Sequence, residues 1–169
     1  MKVLIVFLLF PFASFTQVQA VSYHVNLPSS IEIGPLPVLE TSATKLSLGF
    51  VAGDSGAFIE LSGSGWGATT ISLGNEAIFL FSNDATVIVK SMEVQGFDAG
   101  SGTYKHRYAV SPGDVETLSR YNLIGIRKYS FRDFNDLAIP RQKAEPIKKL
   151  SASFLKELSK LNTAKSARL

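Results

Sequence analysis

The aromatic and histidine side chains that could bind a ligand or partner are concentrated on one predicted strand. In 103–110, Tyr104, His106 and Tyr108 fall on one face of the strand, because side chains of a strand alternate between its faces. An aromatic–histidine face could line a binding groove, and such rings stack against sugars or anchor a protein interface. The alternative is that this is the core face of an edge strand, with His106 hydrogen-bonded. Tyr104, His106 and Tyr108 are therefore candidate ligand or partner contacts.

A second candidate lies in the glycine-rich stretch Gly63-Ser64-Gly65-Trp66-Gly67, which holds the only tryptophan of the chain. Alternating glycines approach phosphates in nucleotide sites, but those loops open a helix, and this one leads into a strand-like segment. On a flexible loop, Trp66 could be a stacking platform for a sugar or an interface anchor. The alternative is that it caps one end of the core.

The sequence contains no coherent catalytic or metal-binding set. Gly53-Asp54-Ser55-Gly56 resembles the tetrapeptide around the serine nucleophile of trypsin-type proteases, but His24 and His106 are the only possible bases. Glycine, aspartate and serine are also favoured in hairpin turns, which is the interpretation preferred here. The absence of cysteine excludes disulfides, thiolate metal sites and thiol nucleophiles. We expect no catalytic residue, metal or cofactor, and keep a small hydrolase using a carboxylate or His106 as an alternative.

The elements that must position these residues are mostly short strands. Apolar runs and alternating segments predict strands at 46–51, 57–61, 69–73, 77–81, 85–90, 103–110, 123–131 and 137–139. The run at 77–81 is apolar at every position, which suits a strand covered on both sides. Three prolines in 28–37 argue against a central strand there. The sequence predicts a mainly β fold, an antiparallel β-sandwich or barrel of short strands with one short internal helix and a C-terminal amphipathic helix.

Two helices interrupt and end this pattern. Ser111-Pro112-Gly113-Asp114 supplies an N-cap, a proline at the first helical position and an acidic third residue, which predicts a helix over 112–120. After a linker between Pro140 and Pro146, a helix of about 15 residues is expected, with 162–169 frayed. Its apolar side chains step by 3, 4, 4 and 3 residues: Ile147, Leu150, Phe154, Leu158 and Leu161. Its opposite face carries Lys149, Lys156 and Lys160.

Charge is divided unevenly along the chain. The formal net charge of +3 combines about −4 in residues 21–140 with +6 in residues 141–169. Opposite signs favour docking of the terminal helix on its own acidic domain, whereas contact with an anionic membrane through that helix is the alternative. The mild overall basicity gives no reason to expect a nucleic-acid partner.

The first twenty residues have the features of a secretory signal peptide. Lys2 is followed by an apolar run of about 13 residues and by Val18-Gln19-Ala20, a small-x-Ala cleavage pattern. That run is shorter than the roughly 20 residues that span a bilayer. We expect a signal peptide at 1–20, a β-sandwich domain at 21–140, and a basic amphipathic helix and tail at 141–169. The mature chain would be periplasmic or extracellular.

The last third of the chain resembles small exported proteins of unknown function from Gram-negative bacteria. The features that carry the resemblance are a capped helix, the strand Leu123-Ile124-Gly125-Ile126-Arg127-Lys128-Tyr129 and a lysine-rich terminal helix. The resemblance implies a fold and an exported location but no activity. Together these observations predict an exported, non-enzymatic module that binds a protein or glycan partner in the cell envelope. An envelope-associated protein using its basic helix is the alternative.

Overall fold

The computed structural model describes residues 23–24, 30–65, 70–130 and 133–166. The predicted signal peptide and Trp66 lie outside these residues. Ten strands and two helices follow in the order β1 Tyr23–His24, β2 Ile31–Glu40, β3 Lys45–Gly53, β4 Gly56–Ser64, β5 Glu76–Phe81, β6 Thr86–Lys90, β7 Phe97–Asp98, β8 Thr103–Ala109, α1 Pro112–Arg120, β9 Leu123–Tyr129, β10 Phe134–Ala138 and α2 Ala144–Ser166. A single 3-10 turn, Arg141–Lys143, leads into α2.

All the strands belong to one antiparallel sheet, in the order β1-β2-β3-β4-β8-β6-β5-β9-β10, with β7 also paired to β8. The mainly β, antiparallel prediction with one internal and one C-terminal helix is confirmed, and the sheet is not closed. The predicted hairpin turn at 53–56 joins β3 to β4. Of the strand predicted at 69–73, Ile71 contributes a single bridge to Gln95.

The sheet consists of two halves with a narrow connection. Strand β6 meets β8 at one residue pair, Lys90 with Ala109. Beside that pair, the side-chain amide of Gln95 hydrogen-bonds to the backbone of β8, as a neighbouring strand would. Its Nε2 donates to the carbonyl oxygen of Arg107 at 2.7 Å, and its Oε1 accepts from the Arg107 amide at 2.6 Å. A buried side-chain amide thus satisfies backbone groups where no strand is present.

The prolines argue against a central strand, and β2 runs for ten residues through Pro35 and Pro37 as an edge strand. On the side of β2 away from β3, the described pairs are those of Glu32 and Ile33 with β1. The pairing of β2 with β3 shifts register between Ile33 and Leu36 and again between Pro37 and Leu39. Proline lacks the amide hydrogen that a regular ladder requires, and such irregularities are where a strand tolerates it. The prolines therefore shape the strand without ending it.

Helix α1 begins where the sequence predicts. The hydroxyl oxygen of Ser111 accepts from the Asp114 amide at 3.2 Å, and the Asp114 carboxylate accepts from the Ser111 amide at 2.8 Å. This reciprocal pair is a capping box, and Pro112 occupies the first turn. Val115 and Leu118 bury the inner side of the helix.

Helix α2 fills the core between the sheet halves and α1. Its whole apolar stripe is buried, and the ring of Phe154 stacks on that of Phe50 in β3 at a centroid distance of 4.8 Å. The helix is longer than predicted, because Pro146 lies in its first turn, where amide groups have no partner within the helix. It also continues to Ser166, beyond the residue where fraying was expected.

Candidate functional site

The predicted aromatic–histidine face of β8 points into the protein. Tyr104 is 3% exposed, and His106 and Tyr108 are fully buried. They lie opposite Gly63, Leu61 and Ile59 in the register with β4. The core interpretation of this face is therefore the one observed, and the candidate contacts Tyr104, His106 and Tyr108 do not line an open groove.

His106 is held within this interior. Its Nε2 lies 3.2 Å from the carbonyl oxygen of Gly96, so this nitrogen is the donor and carries the proton. The imidazole and the Tyr104 ring are 5.0 Å apart at their centroids. A hydrogen-bonded, fully buried ring is positioned as a structural histidine, and a solvent-borne substrate has no open approach to it.

A buried cation that is not among the predicted site residues joins this cluster. Lys128 in β9 is 1% exposed, and its Nζ lies 3.9 Å from the centroid of the Tyr104 ring. Burial lowers the pKa of Lys128 to about 7, because the charged ammonium loses its hydration. The sequence feature that points to its burial is the alternation of β9, which places Lys128 on the same face as the buried Ile126.

The pKa values of the two buried tyrosines are also shifted by burial. Burial raises the pKa of both Tyr104 and Tyr108 above its ordinary value. Electrostatic interaction with the Tyr104 phenol raises the pKa of Tyr108 further. A lysine titrating near neutral pH beside protonated phenols is a polar cluster inside an apolar core. Its chemistry can reach solvent only if the structure opens, so its direct effect is on stability.

The close packing of this cluster can be tested at Gly63. A Cβ at this position would overlap the backbone carbonyl of Lys45 and lie 2.8 Å from the Tyr104 hydroxyl. We expect Gly63→Ala to lower the free energy of unfolding by about 1–3 kcal/mol, as overpacking of a core does. Gly96→Ala is the control, because no atom lies within 4 Å of its added Cβ. Equal effects of the two substitutions in urea denaturation would show that the contact at Gly63 is unimportant.

A second polar cluster lies on the opposite face of β4 and β8. The Glu60 carboxylate is largely buried and accepts from Arg107 Nε at 2.9 Å and from Lys105 Nζ at 3.0 Å. Both cations remain partly exposed. This arrangement satisfies the carboxylate on both oxygens, as an ion pair at a sheet surface requires.

The other half of the sheet carries exposed apolar side chains. This half consists of β6, β5, β9 and β10. We call the side of it that points away from the core the outer face. Its residues are Ile78, Leu80, Ile88, Arg127, Tyr129 and Phe134. In the register, Ile78 lies between Ile88 and Arg127. Ile88 is 52% exposed and Phe134 46% exposed. The prediction that 77–81 is covered on both sides was therefore wrong, because Ala77, Phe79 and Phe81 are buried while Leu80, on the other side, is exposed.

Aromatic and charged groups surround these apolar side chains. The Arg127 guanidinium lies 4.6 Å from the centroid of the Phe134 ring and donates to the Asp136 carboxylate at 2.6 Å. This hydrogen bond holds the pKa of Asp136 below its ordinary value. Across the face, Lys90 pairs with Glu76 at 3.3 Å. The outer face therefore has an apolar centre and a polar rim.

The other predicted positions divide into two groups. Lys149, Lys156 and Lys160 are exposed on the solvent side of α2, as predicted. Trp66 lies outside the described residues, so its contact role stays a prediction. Among the described residues, no three His, Cys, Asp or Glu side chains are grouped to hold a metal ion. No described helix combines the length and apolar character needed to cross a membrane.

Comparison with known proteins gives no relative for this arrangement. The chain matches no family model, no curated protein and no solved structure.

Proposed function

We propose that this chain is an exported, non-enzymatic binding module of the cell envelope whose protein-binding surface is the outer face. The signal-peptide pattern of residues 1–20 and the resemblance to small exported proteins support export. The observation that supports binding is the exposure of Ile88, Leu80 and Phe134 together on a regular sheet. Apolar and aromatic residues beside an arginine, with a charged rim, are the composition of protein interfaces.

A protein partner suits this surface better than a glycan. Glycans stack on an aromatic ring with hydrogen-bonding groups at its edge, but Phe134 is already covered on one side by Arg127. The apolar centre is formed by branched aliphatic side chains, Ile78, Leu80 and Ile88, which gain by exclusion of water.

The partner can be found by placing a photo-crosslinking amino acid at position 88 in producing cells. The same group at Ser42, in the exposed turn between β2 and β3, is the control. We expect a discrete crosslinked protein from position 88 and none from position 42. The same products from both positions, or crosslinks to lipid or sugar alone, would contradict a protein-binding outer face.

Affinity for the partner then tests the surface quantitatively. We expect Ile88→Lys to raise the Kd at least about tenfold, because a charge would be buried at the centre of the interface. Ser42→Lys adds the same charge elsewhere and should leave the Kd unchanged. Ile88 is half exposed, so the fold should survive, which circular dichroism can verify.

A further inference from the structure

Helix α2 has a second side that its packing leaves entirely to solvent. Lys149, Lys156 and Lys160 are separated by seven and four residues, so they form one line on the surface of the helix. At 1.5 Å per residue the line is about 16 Å long. We call these three residues the lysine stripe. It lies opposite Ile147, Leu150 and Phe154, which are buried.

The charge of the lysine stripe is largely uncompensated. Lys160 pairs with Glu157 at 2.7 Å. Lys149 and Lys156 form no ion pair within 4 Å among the described residues, although the charge of Lys149 acts on Glu145, which pairs directly with Lys148. The other ion pair of the helix joins Lys148 to Glu145 at its first turn. The surrounding segment, 141–169, carries a net charge of +6.

Next to the stripe is a groove of about 490 Å³ between α2 and the start of α1. Its lining includes Pro112, Leu155 and Leu158, together with polar side chains of α2. Ser159 and Thr163, which also line it, each follow a stripe lysine by three residues and so neighbour it on the helix. Cations therefore border an apolar recess.

We infer that the lysine stripe binds the surface of an anionic lipid bilayer, independently of the outer face. A phospholipid combines an anionic headgroup with an acyl chain, and so complements both the stripe and the groove. Lysine is a strongly hydrated point charge that suits a diffuse anionic surface. Protein interfaces are depleted in lysine and use arginine and aromatic anchors, which the stripe lacks.

This contact differs from the amphipathic insertion that the sequence suggested as an alternative. The apolar stripe of α2 is buried in the protein, so the helix rests on the headgroups through its lysines. Because strand side chains alternate, the outer face points away from the layer that α2 covers. A partner and a bilayer could then be bound at the same time on opposite sides.

Vesicle co-sedimentation tests the inference with the chain from Val21, which contains every described element. The vesicles are phosphatidylcholine, alone or with roughly one-third phosphatidylglycerol, since anionic lipid adds attraction for each lysine near the surface. We expect binding to the anionic vesicles only. The triple variant Lys149→Gln, Lys156→Gln, Lys160→Gln should lose about fivefold in partitioning per lysine, roughly a hundredfold in total.

The matched control removes three exposed cations that lie outside both the lysine stripe and the outer face, Lys45→Gln, Lys105→Gln and Arg120→Gln. It should partition within a few fold of the unmodified chain, and thermal unfolding verifies that both variants are folded. Equal losses in the two triple variants, or equal binding to neutral vesicles, would overturn the inference. Stripe-dependent binding of polyglutamate without vesicle binding would also overturn it, in favour of an acidic protein partner. Because the outer face takes no part, its failure as a protein-binding surface would not affect these results.

Discussion

Lys128→Met is expected to stabilise the protein by about 1–4 kcal/mol at pH 7, because an apolar side chain of similar length replaces a buried cation. The ammonium lies over the Tyr104 ring, and loss of that contact offsets part of the gain. Urea denaturation of the chain from Val21 measures the change. Lys149→Met, on the exposed side of α2, should change the free energy of unfolding by no more than about 0.5 kcal/mol.

The same lysine should make stability depend on pH. In the unfolded chain its pKa is near 10.5, whereas burial lowers it to about 7 in the folded protein. Above pH 10.5 both states are neutral and Lys128 imposes no charge penalty. As the pH falls toward 7, the unfolded state gains a proton first, so the folded state loses relative stability. Stability should therefore rise between pH 7 and pH 9.5, and this rise should be much smaller in Lys128→Met.

The tyrosines act in the opposite direction at higher pH. Because burial raises the pKa of Tyr104 and Tyr108, the unfolded state loses phenolic protons first once the pH passes about 10. Measurements up to pH 9.5 separate the two effects. An unchanged pH dependence in Lys128→Met, or a variant less stable than its parent at pH 7, would show that Lys128 is not a buried, destabilised cation.

Phe154→Ala is expected to cost about 3–5 kcal/mol, the largest loss among the substitutions considered. Phe154 is fully buried and stacks on Phe50, so its removal opens a cavity where α2 meets β3. Urea denaturation should show the loss, and near-ultraviolet circular dichroism should report the altered aromatic packing. Phe154→Leu, which keeps most of the apolar volume, should cost distinctly less.

The matched control for Phe154→Ala is Lys156→Ala, two residues along the same helix but exposed. It should change stability by less than about 0.5 kcal/mol. Similar effects at the two positions would mean that α2 is not part of the core. A large effect at Phe154 alone also means that truncating α2 cannot test its surface role, because the truncation removes core residues. Substitution of the lysine stripe avoids this difficulty.

Local signals were enough to predict much of the fold. The Ser111 capping box, the hairpin at 53–56 and the apolar spacing of α2 each depend on residues close in sequence, and the structure contains all three. The prolines argued only against a central strand, and β2 is an edge strand where they lie; its register shifts could not be predicted, because they depend on the pairing with β3. Strand β5 is covered on one side only, and which side of a strand is inside depends on the whole sheet, which no local pattern specifies.

In the candidate site, too, local sequence predicted some features, while others depend on contacts between distant residues. Burial of the Tyr104 face was one of two open interpretations, since alternation predicts which residues share a face but not which face is inside. For Lys128, alternation places the side chain on the same face of β9 as Ile126 but does not tell that this face is inside. Its position on the inner side of β9 becomes evident only when the strand is aligned with the buried Ala77 of β5. Lysine is so seldom buried that composition alone argues against it.

The position of α2 after the strands in the sequence has a consequence for folding during synthesis. All ten strands precede it, and Phe50 acquires its stacking partner only when residue 154 is present. Domains fold during translation only when their core residues have emerged. A growing chain of this protein therefore lacks part of its core until α2 has been made. The ten described strands are thus synthesised before the helix that completes their core, so the native packing forms late.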